Sequence, residues 1–270
     1  MADERGRGRA GRPQLVLEVV RTERLSPHLV RVVAGGPGFA QFRNNDFTDR
    51  YVKLLFADPA TGLEPPYDLE RIRAERPQDL PRVRTYTVRW VDEAAGEIAL
   101  DFVLHGDDGI AGPWAGRAKP GDRLVLNGPG GGYAPDPAAD WHLLAGDLSA
   151  VPAIAAALEA MPGDAVGYAL IQVEEPTDVA ELTHPAGVEL TWLHGGGETA
   201  LVEAVSAVTW REGAVQAFVH GERGSVKALR RHLTDDRAID RARLSISAYW
   251  AQGRVEDQFQ AEKREPVGQI

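Results

Sequence analysis

Residues 14–127 contain short stretches in which apolar and polar side chains alternate. In residues 14–21, Leu15, Leu17 and Val19 alternate with polar neighbours, and this period of two predicts a half-buried strand. Gly, Pro and Asp fill the connections, and no long amphipathic helix interrupts the pattern. The segment therefore predicts a small antiparallel barrel or sandwich. Its six predicted strands cover residues 14–21, 28–34, 51–56, 84–91, 97–104 and 123–126.

Residues 64–81 form a long polar connection within this region. The connection contains Pro65, Pro66, Pro77 and Pro81. Connections of this length that lack structure of their own are usually functional or disordered. We therefore expect an irregular loop here.

The pattern changes after a linker at residues 128–140 that is dense in Gly and Pro. Alternating apolar strands and helices of the kind that follows predict a parallel sheet with helices on its faces. The chain then divides into a leader (1–13), a β domain (14–127), the linker, an α/β domain (141–255) and a C-terminal tail (256–270). The predicted strands cover residues 141–145, 165–173, 188–194, 214–220 and 243–249, and the helices cover 149–161, 198–208 and 225–233.

The composition excludes several classes of protein. The chain has 40 acidic residues against 30 Lys and Arg, a net charge of −10, which argues against a general nucleic-acid binder. It contains no cysteine, so disulfides, thiolate zinc sites, iron–sulfur clusters and cysteine nucleophiles are excluded. Any redox chemistry must therefore come from a bound cofactor.

The N-terminal residues 1–13 are rich in Arg and Gly and lack the apolar middle of a secretory signal. No stretch of the chain approaches the roughly 20 apolar residues that span a bilayer. We therefore expect a disordered leader on a cytoplasmic, monomeric protein without stable membrane insertion. A basic arm that touches an anionic partner is the alternative for the leader.

Three predicted strands of the α/β domain end in glycine-containing turns. These turns are Gly146-Asp147, the segment 194–197 and the segment 220–222, and each leads into a predicted helix. Ligands of open α/β sheets lie beyond the carboxyl ends of the strands, where free N–H groups at helix N-termini favour anions such as a pyrophosphate. Glycine here can also be ordinary turn chemistry, and the chain has no GxGxxG motif. Together the three turns predict a nucleotide site.

The segment RVRTYTVR at residues 82–89 is the first candidate for chemistry. On a strand, Arg84 and Tyr86 share one face, while Thr85 and Thr87 share the other. An arginine beside a tyrosine can hold a phosphate and stack on a planar ring. The alternative is a solvated edge of alternating Arg and β-branched residues.

A second candidate segment runs from Asp101 to Ala115. It predicts a strand, a glycine-rich bend and then a short helix that opens around Gly112 and Pro113. Such a bend turns backbone N–H groups toward an anion. Together with Arg84 it would provide two positive poles for one diphosphate.

These motifs, taken in order, resemble the siderophore-interacting proteins. The shared motifs are RxYT at 84–87, DFVLHG at 101–106, AGPWA at 111–115 and GPGGGYAPDPAADWHLLAGD at 128–147. The resemblance covers residues 14–265 and continues through 219–233 and Tyr249-Trp250. It implies an FAD-containing ferric-siderophore reductase related to the ferredoxin–NADP reductase superfamily, with an antiparallel flavin-binding barrel and a parallel-sheet domain that binds NADPH or NADH.

The resemblance also implies roles for individual residues. Arg84 would contact the FAD pyrophosphate, Tyr86 would stack on the flavin or its ribityl chain, and Thr87 would lie near the reactive nitrogen. Tyr86 and Thr87 are therefore the catalytic candidates, and no metal ligands are expected. The remaining cofactor-binding candidates are His105, Gly112, Pro113, Trp114, Ala115, Asp147, Ser149, Gly221, Glu222, Tyr249 and Trp250. His105 can instead be a half-buried histidine with its hydrogen bonds satisfied.

The expected substrate is a ferric siderophore, and such chelates are frequently anionic. A basic rim would concentrate them despite the overall negative charge. Lys53, in the family's YVKLLF segment, and Arg254 are the candidate substrate-binding residues, with Lys263 or Arg264 as further members. The alternatives are a solvent-facing lysine at 53 and a solvated helix face at 263–264.

Two departures from the family pattern leave other functions open. Leu148 stands where the family usually has Glu, and Ala251-Gln252 follow Tyr249-Trp250 where a basic residue is common. The second departure allows a flavin reductase that serves a different acceptor. The first allows a non-enzymatic siderophore-binding module. The sequence leaves NADH, NADPH and a ferredoxin open as electron sources.

Overall fold

The first half of the protein is a closed barrel of six antiparallel strands. The computed structural model describes residues 13–106 and 109–270, so the predicted leader lies outside the described residues apart from Pro13. The strand order around the barrel is β1-β2-β5-β4-β3-β6, which confirms the barrel over the sandwich. Its strands are β1 (Leu15–Ser26), β2 (Leu29–Gly35), β3 (Tyr51–Phe56), β4 (Arg82–Asp92), β5 (Glu97–Val103) and β6 (Arg123–Gly130).

Strand β1 closes the barrel because it pairs with two neighbours. Its first residues pair with β6, with Leu15 opposite Leu126 and Leu17 opposite Leu124. The remainder pairs with β2, and the register shifts after Val19 and again before Ser26. Such irregularities bend a strand and allow a sheet to turn a corner. The alternating leucines thereby enter the barrel core, as the sequence pattern predicts.

The expectation of an irregular loop at 64–81 is wrong, because this segment contains helix α1 (Leu69–Glu75). The Asp68 carboxylate accepts a hydrogen bond from the Arg71 N–H and so caps the helix start. Ile72 anchors the helix and is buried. A second short helix, α2 (Ala111–Arg117), forms where Gly112 and Pro113 predict one.

The second half is a five-stranded parallel sheet in the order β11-β10-β7-β8-β9. Helix α3 packs on one face, and α4 and α5 pack on the other. The strand order reverses at β7, so the carboxyl ends of β7 and β10 border the crevice where such sheets bind ligands. The strands are β7 (Trp141–Asp147), β8 (Val166–Val173), β9 (Gly187–His194), β10 (Val215–Glu222) and β11 (Leu244–Trp250). The helices are α3 (Val151–Ala160), α4 (Ala200–Ala207), α5 (Arg223–Arg231) and α6 (Glu256–Glu262).

Helix α6 lies in the segment that the sequence assigns to the tail. Its Phe259 is 1% exposed and packs with Ala248 and Ala251 of the α/β domain. Among the described residues, none of the helices combines the length and apolarity needed to cross a bilayer.

Helix α3 joins the two domains because it packs against barrel strand β4. The Arg89 guanidinium of β4 donates two hydrogen bonds to the Glu159 carboxylate of α3, from Nη1 at 2.8 Å and from Nη2 at 2.5 Å. Paired bonds of this kind fix orientation as well as distance. The strand that carries Arg84, Tyr86 and Thr87 is thus held against the α/β domain.

Asp178 forms a second link between the domains. Its carboxylate accepts hydrogen bonds from the Ser26 hydroxyl at 2.5 Å and the His28 backbone N–H at 3.2 Å, and it lies 2.8 Å from His28 Nδ1. The residue is only 3% exposed. Burial alone would raise the pKa of Asp178, but the hydrogen bonds from Ser26 and His28 outweigh burial and hold the pKa below its usual range.

Replacing Asp178 with alanine should destabilise the protein. The substitution leaves the Ser26 hydroxyl and the His28 N–H without their acceptor, and hydrogen bonds to a charged group contribute about 1.5–3 kcal/mol. Urea unfolding of Asp178→Ala should show a loss of this size. Glu175→Ala removes an exposed carboxylate from the same turn and should change little. Equal stability of the two variants would contradict a structural role for the Asp178 contacts.

A buried histidine lies in the sheet of the α/β domain. The His220 ring stacks on Phe218 at 3.9 Å between centroids and meets the Tyr249 ring edge-on at 5.0 Å. Its Nε2 lies 3.0 Å from Ser245 Oγ. Burial lowers the pKa of His220 to about 3, so the ring is neutral in the folded protein at neutral pH.

His220 should make stability depend on pH. In the unfolded chain His220 binds a proton below about pH 6.5, whereas in the folded protein it binds one only near pH 3. The free energy of unfolding therefore falls as the pH falls through this window. The slope for one proton is at most about 1.4 kcal/mol per pH unit. Burial also lowers the pKa of His142, which adds an effect of the same sign.

Urea unfolding of wild type and His220→Phe between pH 7 and pH 4.5 measures this slope, which should be smaller in the variant. His184→Gln removes an exposed histidine and should retain the wild-type slope. If His220→Phe keeps the full slope, His220 is not the group responsible.

Candidate active site

Strand β4 places the predicted flavin-binding side chains at the junction of the two domains. Arg84 is 9% exposed and Thr87 is 8% exposed, whereas Thr85 faces solvent. The strand lies between β3 and β5 in the closed barrel. The alternative of a solvated edge strand is therefore wrong. Thr87 is buried although it lies on the face opposite Arg84.

Tyr86 belongs to an aromatic cluster that reaches helix α2. Its ring lies 4.3 Å from the Phe102 ring, which in turn lies 5.8 Å from Trp114 of α2. Trp114 also contacts Phe56 edge-on at 5.5 Å. Burial raises the pKa of Tyr86, so its hydroxyl stays protonated. Two predicted segments, 84–87 and 111–115, are thus connected through one buried phenylalanine.

The start of α2 has the features that the sequence predicts for a site whose backbone N–H groups bind an anion. Ile110 precedes the helix and provides no side-chain cap for its N–H groups. Gly112 permits close packing, because a Cβ there would lie 3.2 Å from the Val103 carbonyl oxygen. His105 is exposed in the connection between β5 and α2, so the half-buried alternative for this residue is wrong. Asp107 and Asp108 lie outside the described residues.

Arg84 has a partner that the sequence did not identify. Its Nη1 donates to Asp257 Oδ1 of helix α6 at 2.7 Å and to the Val83 carbonyl at 2.9 Å. Arg82 pairs with the other carboxylate oxygen of Asp257. Burial alone would raise the pKa of Asp257, but the hydrogen bonds and charges of Arg84 and Arg82 hold it below its usual range. The two residues of the Arg84–Asp257 pair are 173 positions apart, so no local pattern reveals it.

In the α/β domain, three other predicted residues donate hydrogen bonds to the Asp147 carboxylate. Its Oδ1 accepts from Ser149 N at 2.9 Å and from Ser149 Oγ at 2.5 Å. Its Oδ2 accepts from Glu222 N at 2.7 Å and from the Trp250 indole N–H at 2.8 Å. Burial raises the pKa of Asp147, and these hydrogen bonds oppose the increase.

Gly221 makes this arrangement possible. Its φ angle is +145°, a conformation that other residues rarely adopt. A Cβ at this position would lie 2.4 Å from Asp147 Oδ2. Only glycine therefore lets the Asp147 carboxylate reach across from β7 to β10 and β11.

The expectation of free N–H groups at these helix starts requires correction. Ser149 N and Glu222 N donate to Asp147, and Ser225 N of α5 donates to Glu222 Oε2 at 3.0 Å. The protein's own carboxylates thus take up N–H groups that the sequence assigned to a pyrophosphate, because an acidic side chain at a helix start binds the same donors as an anion.

The third glycine turn also departs from expectation. Strand β9 lies at the edge of the sheet, and β8 separates it from β7. The carbonyls of Gly195 and Gly197 accept hydrogen bonds from the Gln172 amide at 3.0 and 2.8 Å. This turn therefore does not border the crevice between β7 and β10, although all three strand ends lie on one edge of the sheet.

Tyr249 connects the α/β domain with the predicted catalytic strand. Burial raises the pKa of Tyr249, and the charges of Asp49 and Asp147 raise it further, whereas the nearby Thr87 side chain lowers it. Two predicted residues from opposite domains therefore lie close enough to interact.

The two departures from the family pattern have structural explanations. Leu148 packs against the apolar cluster around α3. Ala251 is 3% exposed and packs against Phe259 of α6. A long basic side chain at 251 would occupy the space that this helix uses.

An open groove lies beside strand β4. Its volume is about 290 Å³, and its lining residues are Lys53, Val83, Thr85, Asp257 and Gln260. Lys53 Nζ donates to Thr85 Oγ1 at 3.1 Å. Burial lowers the pKa of Lys263 and the nearby charge of Lys53 lowers it further, against the opposing effect of Glu256. The two lysines therefore lie close enough to interact.

Arg254, the other predicted substrate residue, is not among the groove-lining residues. Its Nε donates to Glu262 Oε1 at 2.6 Å. Arg223 donates to the other oxygen of the same carboxylate. Of the residues predicted for the basic rim, Lys53 lines the groove, and Lys263 lies close enough to Lys53 for their charges to interact. The described residues hold no cluster of three or more His, Cys, Asp or Glu side chains suited to a metal ion.

Comparisons with known proteins agree with this architecture. The family described as "Siderophore-interacting FAD-binding domain" matches residues 18–133, and the family described as "Siderophore-interacting protein" matches residues 139–253. An uncharacterized protein of Mycobacterium tuberculosis is 50% identical over 95% of this chain and 96% of its own length. The ferric vibriobactin reductase ViuB of Vibrio cholerae is 36% identical over 92% of this chain and 93% of its own length.

A solved structure shows the same fold. The siderophore-interacting protein SipS from Aeromonas hydrophila aligns with a TM-score of 0.82 at 34% identity, over 94% of this chain and 97% of that chain. The barrel followed by a parallel sheet is also the two-domain fold that the sequence resemblance implies. The chain belongs to the siderophore-interacting protein family.

Proposed function

We propose that this protein is a cytoplasmic, FAD-dependent reductase that passes electrons from NADPH or NADH to the Fe(III) of a ferric siderophore and releases Fe(II). The observation that supports this proposal most directly is the position of Arg84. The arginine belongs to the predicted flavin-binding strand, and its partner Asp257 lines the groove that contains Lys53. The predicted cofactor site and a groove with a basic side chain are therefore adjacent.

The residues at the junction fit FAD. Arg84 is a largely buried cation, and in the described part of the chain its hydrogen bonds involve only Nη1, which leaves its other N–H groups for a diphosphate. Tyr86 and the start of α2, from Gly112 to Ala115, would complete the site, and Thr87 and Tyr249 would border it. FAD would supply a carrier that accepts two electrons from a nicotinamide and delivers them one at a time.

The protein's contribution to iron release is positioning. Hard oxygen donors of a siderophore hold Fe(III) much more tightly than Fe(II), so one electron makes the chelate labile. The step requires no acid or base from the protein. Lys53 would attract an anionic chelate. Strand β4, which supplies Val83 and Thr85 to the groove and also carries Arg84 and Tyr86, would keep the groove at a fixed distance from the cofactor site.

The electron donor would bind at the crevice between β7 and β10. Asp147, Ser149, Gly221, Glu222 and the exposed Trp250 border this crevice. Anaerobic titration of the FAD-loaded protein with NADH, NADPH and a reduced ferredoxin, followed by flavin bleaching, identifies the donor.

Reduction of a panel of ferric siderophores, with Fe(II) trapped by ferrozine, tests the proposal directly. Release above the rate with free FAD supports it. Flavin bleaching without iron release from any siderophore would favour a flavin reductase with another acceptor. Failure to take up FAD would favour a non-enzymatic siderophore-binding module. Either of the last two outcomes would exclude the proposed reaction.

Replacing Arg84 with alanine should weaken FAD binding by about one to two decades in Kd. The substitution removes a charge-assisted phosphate contact that contributes roughly 1.5–3 kcal/mol. Equilibrium dialysis or flavin fluorescence measures the change. Arg82→Ala is the control, because it removes the same charge two positions away. The Arg82 side chain is 59% exposed, so we expect this variant to change the Kd for FAD less than about threefold. Unchanged FAD affinity in Arg84→Ala would remove Arg84 from the cofactor site.

Replacing Lys53 with alanine should spare FAD binding and raise the KM for anionic ferric chelates. The effect should be largest at low ionic strength, because salt screens attraction between exposed charges. Steady-state reduction at low and high salt measures it. Lys119→Ala removes an exposed lysine elsewhere on the barrel domain and should leave KM unchanged. Equal KM values for Lys53→Ala and wild type at low salt would exclude Lys53 from the substrate site.

A further inference from the structure

Among the described residues, Asp257 is the one acidic residue that lines the groove beside β4. One of its carboxylate oxygens bonds to Arg84 at 2.7 Å, and the other pairs with Arg82. The same side chain is 44% exposed. Asp257 therefore contacts the predicted flavin-binding arginine and also faces the space in which a chelate would lie.

Helix α6 holds Asp257 in a fixed position. Phe259, two residues further on, is 1% exposed and packs with Ala248 and Ala251. At the far end of the helix, Glu262 accepts hydrogen bonds from Arg223 at 2.5 Å and Arg254 at 2.6 Å. The Asp257 carboxylate therefore belongs to the wall of the groove, and the packing of α6 holds it there.

Asp257 changes the charge that a substrate meets. Lys53 lines the groove and Lys263 lies near it, which gives positive charge on that side. Arg82 and Arg84 would extend this positive region along β4, but both guanidinium groups pair with Asp257. Asp257 therefore lowers the positive charge of this region by one unit, although the cations still outnumber it.

We propose that Asp257 is a specificity-determining residue that weakens the binding of strongly anionic ferric chelates in the groove relative to chelates of low net charge. This inference rests on the proposed function, because it takes the groove as the site of the ferric chelate. A ferric tris-hydroxamate is neutral, since three singly charged ligands balance Fe(III). A ferric tris-catecholate carries three negative charges, since its ligands are doubly charged. Asp257 would repel the second class and leave the first unaffected.

The size of the effect follows from Coulomb's law. One unit charge removed at roughly 7 Å in a water-like dielectric changes affinity by about threefold for each unit of charge on the chelate. A trianionic chelate would therefore gain on the order of tenfold or more at low ionic strength, and a neutral chelate would gain nothing. The gain should disappear near 1 M salt, where the Debye length is about 3 Å.

The test compares wild type with Asp257→Asn, which keeps the shape and removes the charge. Gallium(III) tris-hydroxamate and tris-catecholate complexes serve as redox-inert probes, and equilibrium dialysis of the FAD-saturated protein at low and high salt gives their Kd values. We expect Asp257→Asn to bind the tris-catecholate at least tenfold more tightly at low salt and the tris-hydroxamate with unchanged Kd. The KM values for the corresponding ferric complexes should change in parallel.

Two control variants separate charge from structure. Glu265→Gln makes the same charge change on the same C-terminal segment, beyond α6 and outside the groove lining, and should leave every Kd unchanged. Asp257→Glu retains the charge and should retain the wild-type preference. FAD content and melting temperature of each variant are recorded alongside. A purely structural role of Asp257 would shift both complexes by the same factor.

An equal shift for both gallium complexes, no shift for either, or no binding of either complex to any variant would overturn the proposal. The proposed function fails by a different result, namely absence of ferric reduction by wild type with every donor and chelate. Because the gallium measurement needs no electron transfer, the charge preference is tested in either case.

Discussion

The ion pair between Arg89 of the barrel and Glu159 of α3 sets the geometry on which the candidate site depends. Both guanidinium–carboxylate bonds are short, and the Arg89 side chain is only 13% exposed, although the Glu159 side chain is 41% exposed. Arg89 lies on the same strand as Arg84, Tyr86 and Thr87. A shift of α3 would therefore change the relation between this strand and the crevice at β7 and β10.

A second principle of the structure is that carboxylates of the chain satisfy the groups that attract anions. Asp147 takes N–H groups at the ends of β7 and β10, Glu222 caps α5, and Asp257 pairs with two arginines of β4. These interactions stabilise positive groups that would otherwise be uncompensated. They also mean that binding of an anionic ligand at these places involves competition with an internal acid. The local charge, rather than the net charge of the whole protein, decides which ligands can bind.

The sequence predicts the strands well because each strand records its environment locally. Alternation at Leu15, Leu17 and Val19 reports one buried face, and it is confirmed in the barrel. Helix α1 escapes prediction because one buried residue, Ile72, is too little to establish a period. The cap that Asp147 forms on Ser149 could have been found, since an acid two residues before a serine at a helix start is a capping pattern. The Asp257–Arg84 pair could not, because it depends on how α6 folds back across the barrel.

At the junction of β7, β10 and β11, position 221 has room for glycine and for no larger residue. Any side chain larger than hydrogen would overlap the Asp147 carboxylate, and that carboxylate also holds the Glu222 N–H and the Trp250 indole. One substitution would thus undo both contacts together, with no intermediate size of side chain available to weaken them in steps. An evolving lineage can abandon this junction in a single mutation, but it cannot adjust it gradually through position 221.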